Sequence, residues 1–259
     1  WKWTKHVVNT GMAVKASALA WRLDQRATDR AWTKDMIAFL DRYHGQATGM
    51  FSGDECLAGR SPLQGTELCA VVEFMYSLEH AFSVFGDPYF GDRLERVAFN
   101  ALPATLSPDM WSHQYVQQVN QAQCTINVDH QWSTNGPESN LFGLEPNFGC
   151  CTSNMHQGWP KFVSHLWMRT PDEGIAAMAY APSRASFETK GAAVTVTLDT
   201  DYPFRDRLSL TVHASKAARF PLVLRVRAVL PAGVTHAYTL AAGEAARIMT
   251  GAMLPPGAD

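Results

Sequence analysis

Two short stretches hold the residue types from which reactive chemistry can be built. Glu67 and Cys69 sit two apart in Thr66-Glu-Leu-Cys, and Cys150 and Cys151 are neighbours in Gly149-Cys-Cys-Thr. Three thiolates and one carboxylate make a donor set for a tetrahedral zinc ion. Thr66 and Thr152 are the expected caps of the helices that follow. Both stretches would then lie at helix N-termini, where the positive end of the helix dipole favours a thiolate. Residues two apart on a regular helix point about 200° away from each other. The freer backbone of a helix start lets Glu67 and Cys69 reach one ion. The spacing is not that of a zinc finger. Cys69 and Cys151 read as well as inert core thiols, since free cysteine is among the most buried residue types. Cys56 and Cys124 match no ligand position and are read as unliganded. Five cysteines, two of them adjacent, make a poor disulfide framework.

The elements that must position these residues follow from periodicity. Helical spacing runs from His6 to Leu23 and from Thr28 to Tyr43, the second with Trp32, Met36, Phe39 and Leu40 on one face. Residues 49–65 form a glycine-rich loop. Thr66 opens a strong helix with Leu68, Val71, Val72, Met75, Leu78, Phe82 and Phe85 as its buried stripe. Another helix is predicted from Pro88 to Leu102. Residues 103–151 are irregular and rich in aromatics, which points to a functional loop rather than to disorder. A last helix is expected over about Thr152–Met168. After Pro171 the period changes to two, with strands predicted at 192–198, 208–213 and 221–230. The reading is therefore mainly α followed by an antiparallel β domain, with the boundary near residue 172.

Composition excludes little and suggests something. The chain has 259 residues and a formal net charge of −2, so no basic field points to nucleic acid or to an anionic membrane. No run of about 18 apolar residues suggests a membrane span. Eight Trp and seven Tyr suit a carbohydrate partner, although core packing is their commoner use; Trp1 and Trp3 carry the same two readings. The opening Trp1-Lys-Trp-Thr-Lys-His lacks Met and reads as a cut, so no localisation follows from it.

Several blocks together carry a resemblance. Phe51-Ser-Gly-Asp-Glu-Cys-Leu-Ala-Gly, Gln64-Gly-Thr-Glu-Leu-Cys-Ala and Asn147-Phe-Gly-Cys-Cys-Thr-Ser-Asn-Met-His-Gln-Gly-Trp-Pro-Lys resemble glycoside hydrolase family 127, the β-L-arabinofuranosidase family. So do His6-Val-Val-Asn and Gln114-Tyr-Val. The resemblance covers most of residues 1–170. It implies a retaining glycosidase with Zn2+ held by Glu67, Cys69, Cys150 and Cys151. It makes Cys150 the nucleophile, Glu55 the general acid/base, and His6 and Tyr115 residues of the sugar pocket. It implies a partial (α/α)6 toroid over residues 1–171, the C-terminal part of a catalytic domain. Residues 172–259 would be the incomplete start of an antiparallel β-sandwich. About five helices are read before the β segment, fewer than six helix pairs require, so the fragment alone is expected to be poorly soluble or inactive.

Two other classes compete: a structural zinc protein with a closed site, and a carbohydrate-binding module, which the few aromatics between 190 and 230 disfavour. Glu145, His113 and His156 lie near the motifs. A pocket role and a structural role are both open for each.

Overall fold

The computed structural model describes residues 6–143 and 148–225, and the backbone of the strand Arg247–Met249. Trp1, Trp3, Glu145 and the later part of the strand expected over 221–230 lie outside these residues. The chain forms two compact units, Trp1–Val163 and Ser164–Asp259.

In the first unit, α1 (Val7–Asp24) and α2 (Ala27–His44) are joined by a two-residue turn with Gln25 in the left-handed region. Strand β1 (Gly65–Glu67) leads directly into α3 (Leu68–Phe85), and α4 (Pro88–Arg96) continues through a π-helical turn, Val97–Ala101, to α5 (Leu102–Ala104). Strand β2 (Val116–Gln118) pairs antiparallel with β1, and α6 (Gly149–Ser164) closes the series. Helix α3 is buried on most of its circumference and is the central helix of this unit. That explains why it alone, among the described helices, is long and apolar enough to cross a membrane. Gly11 lets α1 approach it: a Cβ there would lie 3.3 Å from the Ala70 carbonyl. Ile37, Leu40, Met50 and Leu94 are buried in this unit together with Leu78 of α3, and Phe51 lies edge-on to Phe74 of α3. Fully burying each such side chain is worth roughly 1.5–3 kcal/mol.

The first, second and fourth helices start where periodicity places them, to within a residue. Three boundaries differ. Thr66 does not cap α3; it lies in β1, and Glu67 is the residue at the cap position. Helix α6 starts at Gly149, before Thr152, so both cysteines are inside its first turn. It also ends at Ser164, because Trp167–Arg169 is drawn into a strand.

That strand, β3, pairs with β4 (Ile175–Ala177) in the second unit, and β8 (Leu222–Val223) joins β4. A second sheet runs β5 (Ser183–Thr189), β6 (Ala192–Thr200), β7 (Arg207–Ala214) and β9 (Arg247–Met249), all antiparallel. Side chains of both sheets meet in one core: Ile175, Ala177, Val194, Val196, Leu198, Leu208 and Leu210. The unit is not antiparallel throughout. Ile175 pairs with Leu222 in parallel, where the chain returns to the first sheet after three strands of the second.

Candidate metal-thiolate site

The antiparallel pair β1–β2 does the first part of the positioning. Glu67 faces Val116 across it and ends β1 at the cap position of α3, so its backbone is still extended. The next turn of chain is helical, and Cys69 is the second residue of α3. The change of backbone between the two removes the 200° problem of a regular helix. Gly65 is required here, since a Cβ would fall 1.7 Å from Val116 Cγ1 and 2.7 Å from the Trp132 carbonyl oxygen. Helix α6 supplies Cys150 and Cys151 as its second and third residues.

These two helix starts converge. One donor atom from each of Glu67, Cys69, Cys150 and Cys151 lies within 4.8 Å of the others, a group that could hold a metal ion. The sulfurs of Cys69 and Cys151 are 3.4 Å apart and those of Cys150 and Cys151 3.9 Å. Glu67, Cys69 and Cys151 are buried, whereas Cys150 is exposed. Oε2 of Glu67 is buried with no hydrogen-bond partner, an orphaned carboxyl oxygen on a residue whose donor atoms lie beside three thiols. Cys56 and Cys124 are outside the cluster; the Cys124 thiol donates to the Asn140 carbonyl at 3.0 Å.

Left to themselves, these groups cannot all ionise. Burial pushes the Glu67 carboxyl up to about 8, against a hydrogen bond from Cys69, with the charges of Cys150, Glu55 and Asp54 adding to the rise. The hydrogen bond from Cys151 brings Cys150 down to about 6, against the cost of burial. Cys151, the donor to Cys150 and Cys69 and itself buried, is driven upward. Cys69 gains from its hydrogen bond with Cys151, but burial and Glu67 leave it raised as well. Proton sharing therefore concentrates thiolate character on the one exposed sulfur.

Glu55 sits on the 45–64 loop, in a turn fixed by backbone bonds. The Gly53 N–H donates to the Gly65 carbonyl at 2.8 Å, and the Glu67 N–H donates to the Gly53 carbonyl at 3.0 Å, so the loop is laced to the strand that ends in Glu67. Gly53 has φ +143°, and a Cβ there would meet the Cys56 carbonyl oxygen at 2.4 Å. The Glu55 side chain is 55% exposed, with Oε2 3.3 Å from His6 Nε2. His6 also caps α1, its Nδ1 accepting from the Asn9 N–H at 3.5 Å, so the neutral ring carries its proton on Nε2, facing Glu55. Tyr115 is 2% exposed; its ring stacks on Phe148 at 4.4 Å, and its hydroxyl accepts from Asn135 Nδ2 at 2.6 Å. Burial, then the charges of Glu67, Asp54 and Glu55, push the Tyr115 phenol well above its ordinary value.

Three residues at the site had no place in the sequence reading. Asn154 donates through Nδ2 to the Cys69 sulfur at 3.3 Å and to the Cys150 carbonyl at 2.9 Å, tying α6 to α3 at the cluster. It lies one helical turn beyond Cys150, a relation that is legible once the helix is started at Gly149. Asp54 is buried, and its Oδ2 accepts from Ser133 Oγ and from the Thr134 N–H and hydroxyl at 2.7–3.0 Å. Asn135 follows directly. His113 is buried and hydrogen-bonds the Thr152 hydroxyl through Nε2 at 2.8 Å, bracing the start of α6. His156 is exposed on α6.

The family model of the GH127 β-L-arabinofuranosidase catalytic domain matches residues 6–164, and that of the GH127 middle domain matches residues 174–246. Among solved structures, the chain is similar to a GH127 β-L-arabinofuranosidase from Geobacillus stearothermophilus T6, at 17% identity and a TM-score of 0.72, over 85% of this chain and 35% of that one. A GH127 β-arabinofuranosidase is similar at 17% identity and a TM-score of 0.66, over 85% and 33% of the two chains. A structure described as a glycoside hydrolase gives 15% identity and a TM-score of 0.67, over 95% and 44%. At such identity these are likenesses of fold. The chain spans about a third of the length of the first two structures and less than half of the third. No curated protein matches it significantly.

Proposed function

The chain belongs to glycoside hydrolase family 127, the β-L-arabinofuranosidase family, and from that premise we propose that it carries the catalytic groups of a retaining glycosidase that acts through a zinc-bound cysteine. Residues 1–171 are then the C-terminal part of an (α/α)6 catalytic domain, and residues 172–259 belong to a β-sandwich middle domain. The substrate class is β-L-arabinofuranosides or related sugars.

The observation that carries this reading is the convergence of three thiols and an orphaned carboxylate oxygen, with one thiol alone exposed. Thiolates that share one tetrahedral zinc at about 2.3 Å stand about 3.8 Å apart. The observed sulfur separations of 3.4 and 3.9 Å bracket that distance, which supports Glu67, Cys69, Cys150 and Cys151 as the four donors. When bound, zinc keeps the thiolates ionised at neutral pH. The exposure of Cys150 favours a reactive over a purely structural site, because a closed structural centre has no need of an accessible ligand.

Cys150 is the nucleophile. Its sulfur forms a bond to the anomeric carbon as the bond from that carbon to the leaving oxygen breaks, and Glu55, in its acid form, gives its proton to that oxygen. In the second half Glu55 takes a proton from water, whose oxygen displaces Cys150 from the anomeric carbon. Two displacements retain the configuration, and Glu55 is left protonated for the next cycle. His6 and Tyr115 form part of the pocket wall, and carbohydrate is the partner.

The test uses the full-length protein. Elemental analysis is expected to find one zinc per chain. A cysteine-directed, mechanism-based sugar analogue is expected to label Cys150, as read by mass spectrometry of the peptide, and Cys150→Ser to lose nearly all turnover. A label on Cys151 or on a carboxylate would overturn the thiolate mechanism.

A further inference from the structure

Glu55 poses a physical problem. Its side chain is more than half exposed and stands on a loop, so packing does not choose its rotamer. A proton donor must nonetheless be held within a few tenths of an ångström of its place, and misplacement by about 1 Å can cost a hundredfold in rate. Its carboxylate has two polar partners, His6 at Oε2 and Asn135 at Oε1.

We infer that Asn135 is a positioning residue for Glu55, and that the segment Trp132–Asn135 is the tie between the acid/base loop and the metal-donor strand. The inference rests on Glu55 as the acid/base and extends that reading to a residue that the motifs do not contain. The Asn135 amide nitrogen has two protons. One is directed at the Tyr115 hydroxyl at 2.6 Å, the other at Glu55 Oε1 at 3.4 Å. The first contact is anchored in the interior, since Tyr115 is buried against Phe148, two residues before Cys150. The second reaches out to the exposed carboxylate. Asn135 thus links the buried Tyr115 to the exposed Glu55 carboxylate.

The backbone of Asn135 is fixed just as closely. Its N–H donates to Ser133 Oγ at 3.0 Å, and the Ser133 hydroxyl donates to Asp54 Oδ2 at 2.8 Å. Thr134 adds two further bonds to the same oxygen. Asp54 is the immediate neighbour of Glu55, so the loop that delivers the amide is tied to the backbone next to its target. Trp132, at the other end, accepts from the Gly65 N–H at 2.8 Å, and Gly65 begins the strand that ends on Glu67. One four-residue segment is therefore bonded to the acid/base loop, to the metal-donor strand and to the buried tyrosine.

Leaving-group dependence is the readout, because only a poor leaving group needs its proton. In the full-length, metal-loaded protein, Asn135→Ala should lower kcat/KM for a methoxyphenyl arabinofuranoside about ten- to a hundredfold. A dinitrophenyl arabinofuranoside should lose less than about threefold, with metal content unchanged. In a Glu55→Gln background, adding Asn135→Ala should change neither rate by more than about twofold, since the two residues act as one unit. Equal slowing of both substrates, or additive loss in the double variant, overturns the inference. If Asn135→Ala fails to fold, Asn135→Asp carries the test. It is nearly isosteric and can accept from the Tyr115 hydroxyl, but it sets a like charge against Glu55, so the same selectivity is required of it. Glu55→Gln alone separates the two failures. If it slows both substrates equally, the acid/base reading falls and this inference with it; if it is selective and the Asn135 variants are not, only the inference falls.

Discussion

The cluster proposed to hold the metal and the loop proposed to carry the acid/base are built by opposite means. Glu67, Cys69 and Cys151 are buried and come from two helix starts, with Cys150 placed 81 positions after Cys69 in sequence. Helix α6 lies close to α3, where a Cβ on Gly158 would come 3.4 Å from Val72 Cγ2, and Asn154 ties the two starts together. Glu55 is exposed, and its carboxylate meets His6, at the cap of α1, and Asn135, on a loop. On the proposed function, burial suits the four donors because crowded anions are tolerable only around a cation. Exposure suits the acid/base role proposed for Glu55, since such a group has to meet both a leaving group and water. If the proposed roles hold, what fixes each group follows from what it must exchange with: an ion that stays, or protons that come and go.

The first way to break that contrast is to attack the buried side. Cys69→Ser replaces a thiolate donor by a neutral hydroxyl in a closed position. Loss of an outer partner of a metal ligand costs about 10- to 100-fold in affinity, and loss of the ligand itself should cost more. The expected outcome is loss of most zinc during dialysis against a mild chelator, followed by elemental analysis. Full retention of zinc would remove Cys69 from the donor set.

The second attacks the exposed side. Glu55→Gln should slow poor leaving groups by about 10²- to 10⁴-fold while zinc content and the thermal midpoint stay near their starting values. A large fall in the midpoint would mean that Glu55 is part of the loop's framework and that the contrast is misdrawn. Between these sits Asp54→Ala. Asp54 is buried and accepts three hydrogen bonds, so its removal strands three donors. Hydrogen bonds to a charged group are worth about 1.5–3 kcal/mol. Denaturant titration should show a loss of that order, with selective slowing of poor leaving groups and no change in metal content. Zinc loss in Asp54→Ala would show that the two regions are not independent.

The two regions also differed in how far they could be read. Cysteine and glutamate beside helix starts are few and chemically specific, so the four residues that converge were legible as a set. Glu55, His6 and Tyr115 came from resemblance. The residues that hold Glu55 were not legible, because Asp, Ser, Thr and Asn are ordinary loop residues. Their partners lie about 80 positions away, across a stretch without period. Asn154 was missed for a different reason: with the helix started at Thr152 rather than Gly149, its relation to Cys150 as a residue one turn further on was hidden. In the second unit, alternation in 192–198 and 208–213 marked two strands. β3 and β4, three residues each, are too short for any period to show.

The smallest expected effect comes from the far end of the acid/base loop, where its hydrogen bonds meet the helical frame. His44 ends α2, and its Nδ1 accepts from the Gly59 N–H at 2.9 Å. That bond requires an unprotonated Nδ1, and burial lowers the His44 pKa below its ordinary value. The unfolded chain has its histidine near about 6.5. Between the folded and unfolded values the unfolded chain binds more protons, so stability rises with pH across that window. The contribution is complete above about 6.5 and is lost as the pH falls through the folded value. It should not exceed the roughly 1 kcal/mol net worth of one such bond. Amide exchange at Gly59, corrected for its intrinsic pH dependence, should quicken as the pH falls below about 6.5, while amides within α3 stay protected. His44→Gln keeps a carbonyl acceptor that does not titrate, and it should flatten the Gly59 profile. If α3 loosens together with Gly59, the loop is not a separately held part of the molecule. If Gly59 responds identically in His44→Gln, the response belongs to another group.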